Sequence, residues 1–312
     1  MSTLQNDRFA IASCESLCLP AQDGEVELHR YSVFPGMDLI ICDAHAHSCL
    51  FPPEQSGNCF EIRHCRQGRW EAELPGASYY LGSGDLSIAR PHSEGFRAHF
   101  PLHHYHGISL YINVDQAPQC LSCLLGDVRV QPMKLMQKFL CNSDAYVARS
   151  QPAIEHIFSE LYSVPTEIRQ GYYKVKVLEL FLFLSTLDPH ADELNRRRCS
   201  NTQKTLAHSI CQYLMAHMDR KVTLEDLTDS MHASGTQIKS SIRCVYGMSL
   251  YSFIRNQKME SAAAMLRDTD RSILEIAGLH GYDNASKFAG AFKTVMGKTP
   301  REYRLSPENR LV

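Results

Sequence analysis

The stretch GLHGYDNASKFAGAFKTVMGKTP, residues 278 to 300, decides how the chain is read. A turn at Tyr282-Asp283-Asn284 precedes a run in which Phe288, Ala291, Phe292 and Val295 share one helical side at about 100° per residue. Ser286, Gly290 and Lys293 fall opposite, with Lys287 at the edge. Such a run either packs a surface helix onto a core or presents a helix to a partner. The pattern occurs twice. Thr236 matches Ser286, Ile238 matches Phe288, Ile242 matches Phe292, Arg243 matches Lys293, Val245 matches Val295 and Gly247 matches Gly297. Thr223 and Ser272 stand as N-cap residues before short apolar-periodic turns. One unit is therefore used twice, at about 223–247 and 272–297, and each predicts a helix, a tight turn and a second helix.

In the earlier unit Ile238, Ile242 and Val245 form the buried side. Thr236, Ser240 and Arg243 form the exposed side, flanked by Gln237 and Lys239. Short side chains let a helix backbone approach the major groove, Lys and Arg suit phosphates or guanine edges, and Gln, Thr and Ser suit base edges. A solvated face is the plain alternative for one such helix; two copies of the same face on a basic segment favour DNA. Between the units, SLYSFIRNQKMESAAAMLRD (249–268) carries Phe253, Ile254, Met259, Ala262, Ala263 and Leu266 at helical spacing with no Pro or Gly. As a helix it runs about 30 Å, close to the ~34 Å of one DNA turn.

The 312 residues allow two or three domains, and 44% hydrophobic with 21% charged residues excludes a disordered chain. The net charge of −2 hides an asymmetry: from Asn195 onward there are 18 Lys and Arg against 11 Asp and Glu, and before it 14 against 23. A basic C-terminal third on an acidic body points to a polyanionic partner for that third. The N-terminus MSTLQNDRFAIASC shows no signal-peptide pattern, so the expectation is a cytoplasmic protein whose twelve cysteines are reduced. VLELFLFLSTL (177–187) is too short to span a bilayer, and no membrane partner is expected. The Cys120/Cys123 pair has no second pair at zinc-finger spacing.

Residues from about 20 to 115 read as β structure. FEIRHC (60–65), WEAEL (70–74) and HGISLYIN (106–113) alternate, RQG (66–68) reads as a turn, and Gly82-Ser83-Gly84-Asp85 marks another. From about 132 to 187 the period becomes helical, giving two or three helices. DPHADELNRRRCSNTQ (188–203) is the best linker candidate.

The segment SILEIAGLHGYDNASKFAGAFKTVMGKTPREYR (272–304) resembles the signature of the AraC/XylS family of transcription regulators, and the likeness extends over roughly 204–304. It implies two helix-turn-helix units on a linker helix, promoter DNA as partner, and activation through RNA polymerase. The base-facing positions carried over are Thr236, Lys239 and Ser240, then Ser286, Lys287 and Gly290. Thr228 and Ile242 depart from the family's usual Ala and Phe and are expected to be buried packing changes. A looser likeness in CFEIRHCRQGRWEAEL, YYLGSGDLSI and FPLHHYHGISLYIN implies a cupin-like barrel that binds a small effector, followed by helices forming a dimer interface. The expected architecture is α+β: a cupin-like sensor domain (1–118), a helical dimerisation segment (119–190), a linker (191–203) and an all-α DNA-binding domain (204–306).

The barrel is rich in histidine, and His45, His47, His104 and His106 are the candidate effector contacts. The metal-binding cupin pattern wants Glu soon after His-x-His, whereas the first Glu after His47 is Glu54. No metal, cofactor or catalytic residue is therefore assigned. The expectation is an effector-responsive activator acting as a homodimer, in which Thr236, Gln237, Lys239, Ser240, Arg243, Ser286, Lys287, Gly290 and Lys293 meet DNA. The alternative is a metal- or thiol-dependent cupin enzyme or sensor fused to a DNA-targeting module. A scaffold that binds protein through the helical faces is the third reading, and it predicts no salt-dependent affinity for DNA.

Overall fold

The computed structural model describes residues 14–53, 57–74, 77–91, 95–119, 121, 131–141, 144–148, 150–189 and 200–305. The N-terminal half is antiparallel β. The strands are β1 (Cys14–Gln22), β2 (Glu25–Phe34), β3 (Met37–His45), β4 (Ser48–Phe51), β5 (Cys59–Gly68), β6 (Trp70–Leu74), β7 (Ala77–Leu81), β8 (Leu86–Ala89), β9 (Phe96–His99), β10 (Tyr105–Asn113) and β11 (Ala145–Ala148). They pair in the order β11-β8-β5-β10-β3-β2-β1-β4-β9-β6-β7, a strongly curved sheet that folds back as a barrel-like sandwich. Three helices follow or interrupt the last strands: α1 (Pro132–Leu140), α2 (Pro152–Ser159) and α3 (Arg169–Thr186).

Two cores explain the burial. One packs Met37, Leu39, Phe60, Ile62, Ile108, Leu110 and Ile112 against Phe139, Phe158, Tyr173 and Phe181 of the helices. The other lies inside the barrel, where Val26, Cys42, Ala44, Cys65 and Tyr105 meet Trp70, Ala98 and Phe100. The central strands β5 and β10 are thus covered on both faces, so the alternation expected for FEIRHC and HGISLYIN is not one of buried against exposed. RQG is not a turn. It is the end of β5, which pairs with β10 through Gly68. Gly68 has φ +79°, and a Cβ there would collide with the His104 carbonyl, so glycine lets the chain turn the corner into β6. The helical segment also holds β11, a four-residue strand on β8 too short to show a period.

The C-terminal third is all helix: α4 (Asn201–Ala216), α5 (Leu224–Met231), α6 (Gly235–Tyr246), α7 (Leu250–Asp268), α8 (Ile273–Leu279), α9 (Ala285–Met296) and α10 (Pro300–Leu305). Most of the expected linker lies outside the described residues; its last residues instead start α4, where Ser200 and Gln203 form a capping box. Each unit has its own core. Ala207, Ile210, Leu227, Ile238, Ile242 and Phe253 fill the first, and Met259, Ala262, Leu266, Ile276, Phe288, Phe292 and Tyr303 fill the second. The connector α7 contributes to both, which fixes one unit against the other.

Candidate nucleic-acid interface

Local signals set each helix of the two units. Thr223 accepts from the Asp226 amide, Ser234 from Gln237, and Ser272 from Glu275, each in a reciprocal capping box. Asn284 caps α9 by accepting from the amides of Ser286 (2.8 Å) and Lys287 (3.2 Å). Gly247 and Gly297 end α6 and α9 in the left-handed conformation, at φ +71° and +74°. The N-caps expected at Thr223 and Ser272 are where the sequence places them.

Every DNA-facing candidate is exposed: Thr236, Gln237, Lys239, Ser240 and Arg243 on α6, and Ser286, Lys287, Gly290 and Lys293 on α9. The opposite faces are sealed, with Ile238, Ile242, Phe288 and Phe292 at 0% exposure. Some candidates have other work. The Gln237 amide oxygen accepts from the Ser234 amide and hydroxyl at 2.9 Å each. The Ser240 hydroxyl donates to the Gln237 carbonyl at 3.0 Å. A Cβ on Gly290 would meet nothing within 4 Å, so this part of α9 is bare backbone facing open space. Thr294, next to it, is exposed and donates to the Gly290 carbonyl (2.8 Å). Ile242 is buried as expected; Thr228 is only half-buried, and its hydroxyl donates to the Glu225 carbonyl (2.9 Å), the satisfaction a polar residue needs there.

The spacing between the units is held by a buried lysine. Lys258 on α7 donates to the carbonyls of Arg220, before α5, and His280, after α8, at 2.7 and 2.8 Å. Burial pushes the His280 imidazole below its ordinary value, so it is neutral: Nδ1 donates to the Ile276 carbonyl (2.7 Å) and Nε2 accepts from Ser261 (3.0 Å).

The β half grips this domain through Arg69. Its guanidinium lies 4.0 Å from the Tyr246 ring centroid and 4.9 Å from that of Tyr80, and its Nε sits 2.6 Å from Glu71. Glu71 also accepts from His208 Nδ1 on α4 at 3.0 Å. Burial would raise the Glu71 carboxyl, but Arg69 and His208 hold it down to about 2. The Tyr80 hydroxyl donates to the Val245 carbonyl on α6. At the far end of α7, Arg267 donates to Gln67 (2.8 Å) and pairs with Asp268 (2.8 Å). The contacts that join the two halves are not legible in sequence, because partners such as Glu71 and His208 lie 137 residues apart.

The four candidate histidines do not form one group. His45 and His106 come together with Asp43, whose Oδ1 lies 3.1 Å from His45 Nε2 and 2.8 Å from His106 Nδ1. His104 is buried beside them, its ring 6.1 Å from His106, and Nδ1 donates to the Leu102 carbonyl. His47 lies past the end of β3 and turns to His103 (3.3 Å). Asp43 is the residue that sequence reading missed: a carboxylate two positions before His45 shares its strand face as surely as one after it. The thiol alternative finds no support among the buried cysteines. Burial pushes Cys42 up to about 12 and Cys49 and Cys211 up to about 11, so they are protonated and unreactive. Eight described cysteines are free. Cys120 and Cys123 lie outside the described residues.

Residues 227–306 match the model of a helix-turn-helix domain family. The F1 operon positive regulatory protein of Yersinia pestis is 33% identical over 101 residues, 32% of this chain and 34% of that protein. The C-terminal domain belongs to the AraC-type helix-turn-helix family. The right origin-binding protein of Escherichia coli K12 is 29% identical over 106 residues, 34% of this chain and 37% of that protein. Among solved structures, the C-terminal domain of AraT, a response regulator from Geobacillus stearothermophilus, is 30% identical and covers 37% of this chain and 90% of that domain, with a TM-score of 0.32. The chain spans about a third of the length of these curated relatives.

Proposed function

We propose that the chain is a sequence-specific DNA-binding transcription regulator that sets α6 and α9 into successive major grooves on one face of promoter DNA. The observation that carries this is the pair of exposed small and basic faces, on helices whose separation is fixed by α7 and Lys258. The 19 residues of α7 span about 28 Å, near the rise of one DNA turn. In the second unit Gly290 offers no side chain, so Lys287 and Lys293 anchor to phosphate while the first unit reads more of the sequence.

The β half is the sensor of this reading and the protein an effector-responsive activator working in the cytoplasm, with RNA polymerase as its further partner. The ring nitrogens of His64 and the hydroxyls of Tyr105 and Tyr162 are buried without a hydrogen-bond partner among the described residues, and a small polar effector would supply one. Ile168, the residue that precedes α3, and Val175 on it are apolar and 54% and 60% exposed, which supports a homodimer through this helix. No helix among the described residues is long and apolar enough to cross a membrane. The test is selection of bound duplexes from a random pool by the full chain. Enriched sites with two conserved blocks about one helical turn apart are expected; enrichment of single blocks, or none, would sink the two-groove geometry.

A further inference from the structure

Asp43, His45 and His106 each place one potential ligand atom within 4.8 Å of the other two, the one such group of three among the described residues. His106 Nε2 is buried with no hydrogen-bond partner among the described residues, and two imidazole nitrogens stand within about 3 Å of Asp43 Oδ1. In a tetrahedral site with bonds of about 2.0–2.1 Å, neighbouring donors stand about 3.3 Å apart, so the 2.8 and 3.1 Å contacts need to open by only a few tenths of an ångström. The strands make this arrangement rigid. Asp43 and His45 share a face of β3, and His106 is the register partner of Asp43 on β10. An ion can also enter: the side chains of His45 and Asp43 are 38% and 23% exposed, while His106 closes the floor at 5%.

We propose that Asp43, His45 and His106 bind a divalent transition metal ion, and that its occupancy is passed to the DNA-binding half through Asp268. Two imidazoles with one carboxylate select the zinc, iron(II), cobalt and manganese class over calcium or magnesium, which take oxygen ligands. The second half of the proposal rests on the DNA-binding reading. His45 faces Asp43 with Nε2 and Asp268 with Nδ1, at 3.1 and 3.7 Å. A metal on Nε2 fixes the ring proton on Nδ1 and turns it toward Asp268, the outer-shell carboxylate–histidine–metal arrangement. Asp268 is the last residue of α7, the helix that spaces the two units, and it already holds Arg267. Closing the His45–Asp268 gap pulls the end of that helix toward the barrel. The Arg267 guanidinium is the nearby positive charge that would oppose a cation, and its pairing with Asp268 offsets it.

The metal-free full-length chain is titrated with cobalt(II) without DNA, following d–d absorption, and then with zinc as competitor. One ion per chain is expected, with no thiolate charge-transfer band. Asp43→Asn and His106→Gln should abolish uptake while the thermal transition stays cooperative; if either unfolds, the half-exposed His45→Gln replaces it. Asp268→Asn should keep the site but weaken it about 10- to 100-fold. No stoichiometric ion, or uptake that survives these ligand changes or shows thiolate bands from exposed Cys14, Cys18 or Cys141, overturns the site. DNA affinity with and without zinc then reads the coupling. Equal affinities, or a zinc effect unchanged in Asp268→Asn, overturn the link and leave the site standing. Failure of the chain to bind any DNA overturns the DNA-binding reading and the link that rests on it, and leaves the site standing.

Discussion

Replacing Lys287 and Lys293 together by Ala tests the interface most directly, because both sit on the exposed face of α9 and neither supports the fold. Substitutions at such surface positions change stability by no more than about 0.5 kcal/mol. Each lysine that neutralises a phosphate adds about 0.9 to the steepness with which log K falls against log salt. The double variant should therefore lose about 1.8 from that slope. At about 0.15 M salt each contact is worth about 0.7 log unit, near fivefold, so the pair should cost about 30-fold. The assay is fluorescence anisotropy of the full chain on a labelled random-sequence duplex across a range of salt concentrations, which needs no knowledge of the operator. Lys239→Ala and Arg243→Ala on α6 should act alike if both helices touch DNA. A slope unchanged in the double variant, with affinity within twofold of the parent, would refute the placement of α9 against the phosphates.

Gly290→Ala should stabilise the domain by up to about 1 kcal/mol, since the site has open space and Ala is the better helix former; the same Cβ should weaken DNA binding if the α9 backbone abuts the groove, and a melt beside an anisotropy titration separates the two. Lys258→Met should cost about 2–4 kcal/mol in denaturant unfolding, because two carbonyls lose their donor. Burial pushes the Glu260 carboxyl up to about 8, above its unfolded value. Its contribution is therefore complete below about pH 4.3 and lost as pH rises through 8. Glu260→Gln should flatten the fall in melting temperature between pH 5 and 8, and an equal pH dependence in both proteins would contradict the burial. Glu71→Gln leaves the buried Arg69 without its carboxylate and should destabilise by about 3–5 kcal/mol, read by calorimetry.

The AraC-type domain was legible because its determinants are local. A cap and its partner at Thr223 and Asp226, or Ser272 and Glu275, lie three residues apart, and the α7 stripe repeats along one helix. The β half was legible as strands but not as a site. Sheet pairing brings His106 to Asp43 across 63 positions, and no spacing rule carries that. A glutamate after His-x-His is one order of ligands, whereas the strand face is indifferent to order. RQG misled because glycine serves a strand corner as readily as a turn.

The helix α7 works as a ruler with no adjustment. One residue inserted into it would turn the second unit about 100° around the helix axis and shift it about 1.5 Å, while Lys258 would no longer reach both carbonyls. If α6 and α9 read DNA as proposed, length changes should be absent from this helix in any functional descendant, and drift in recognition should be confined to substitutions on the faces of α6 and α9. Target sites of the proposed two-block kind would face the same restriction: bases could change within either block, but a base pair gained or lost between them would move one block out of reach.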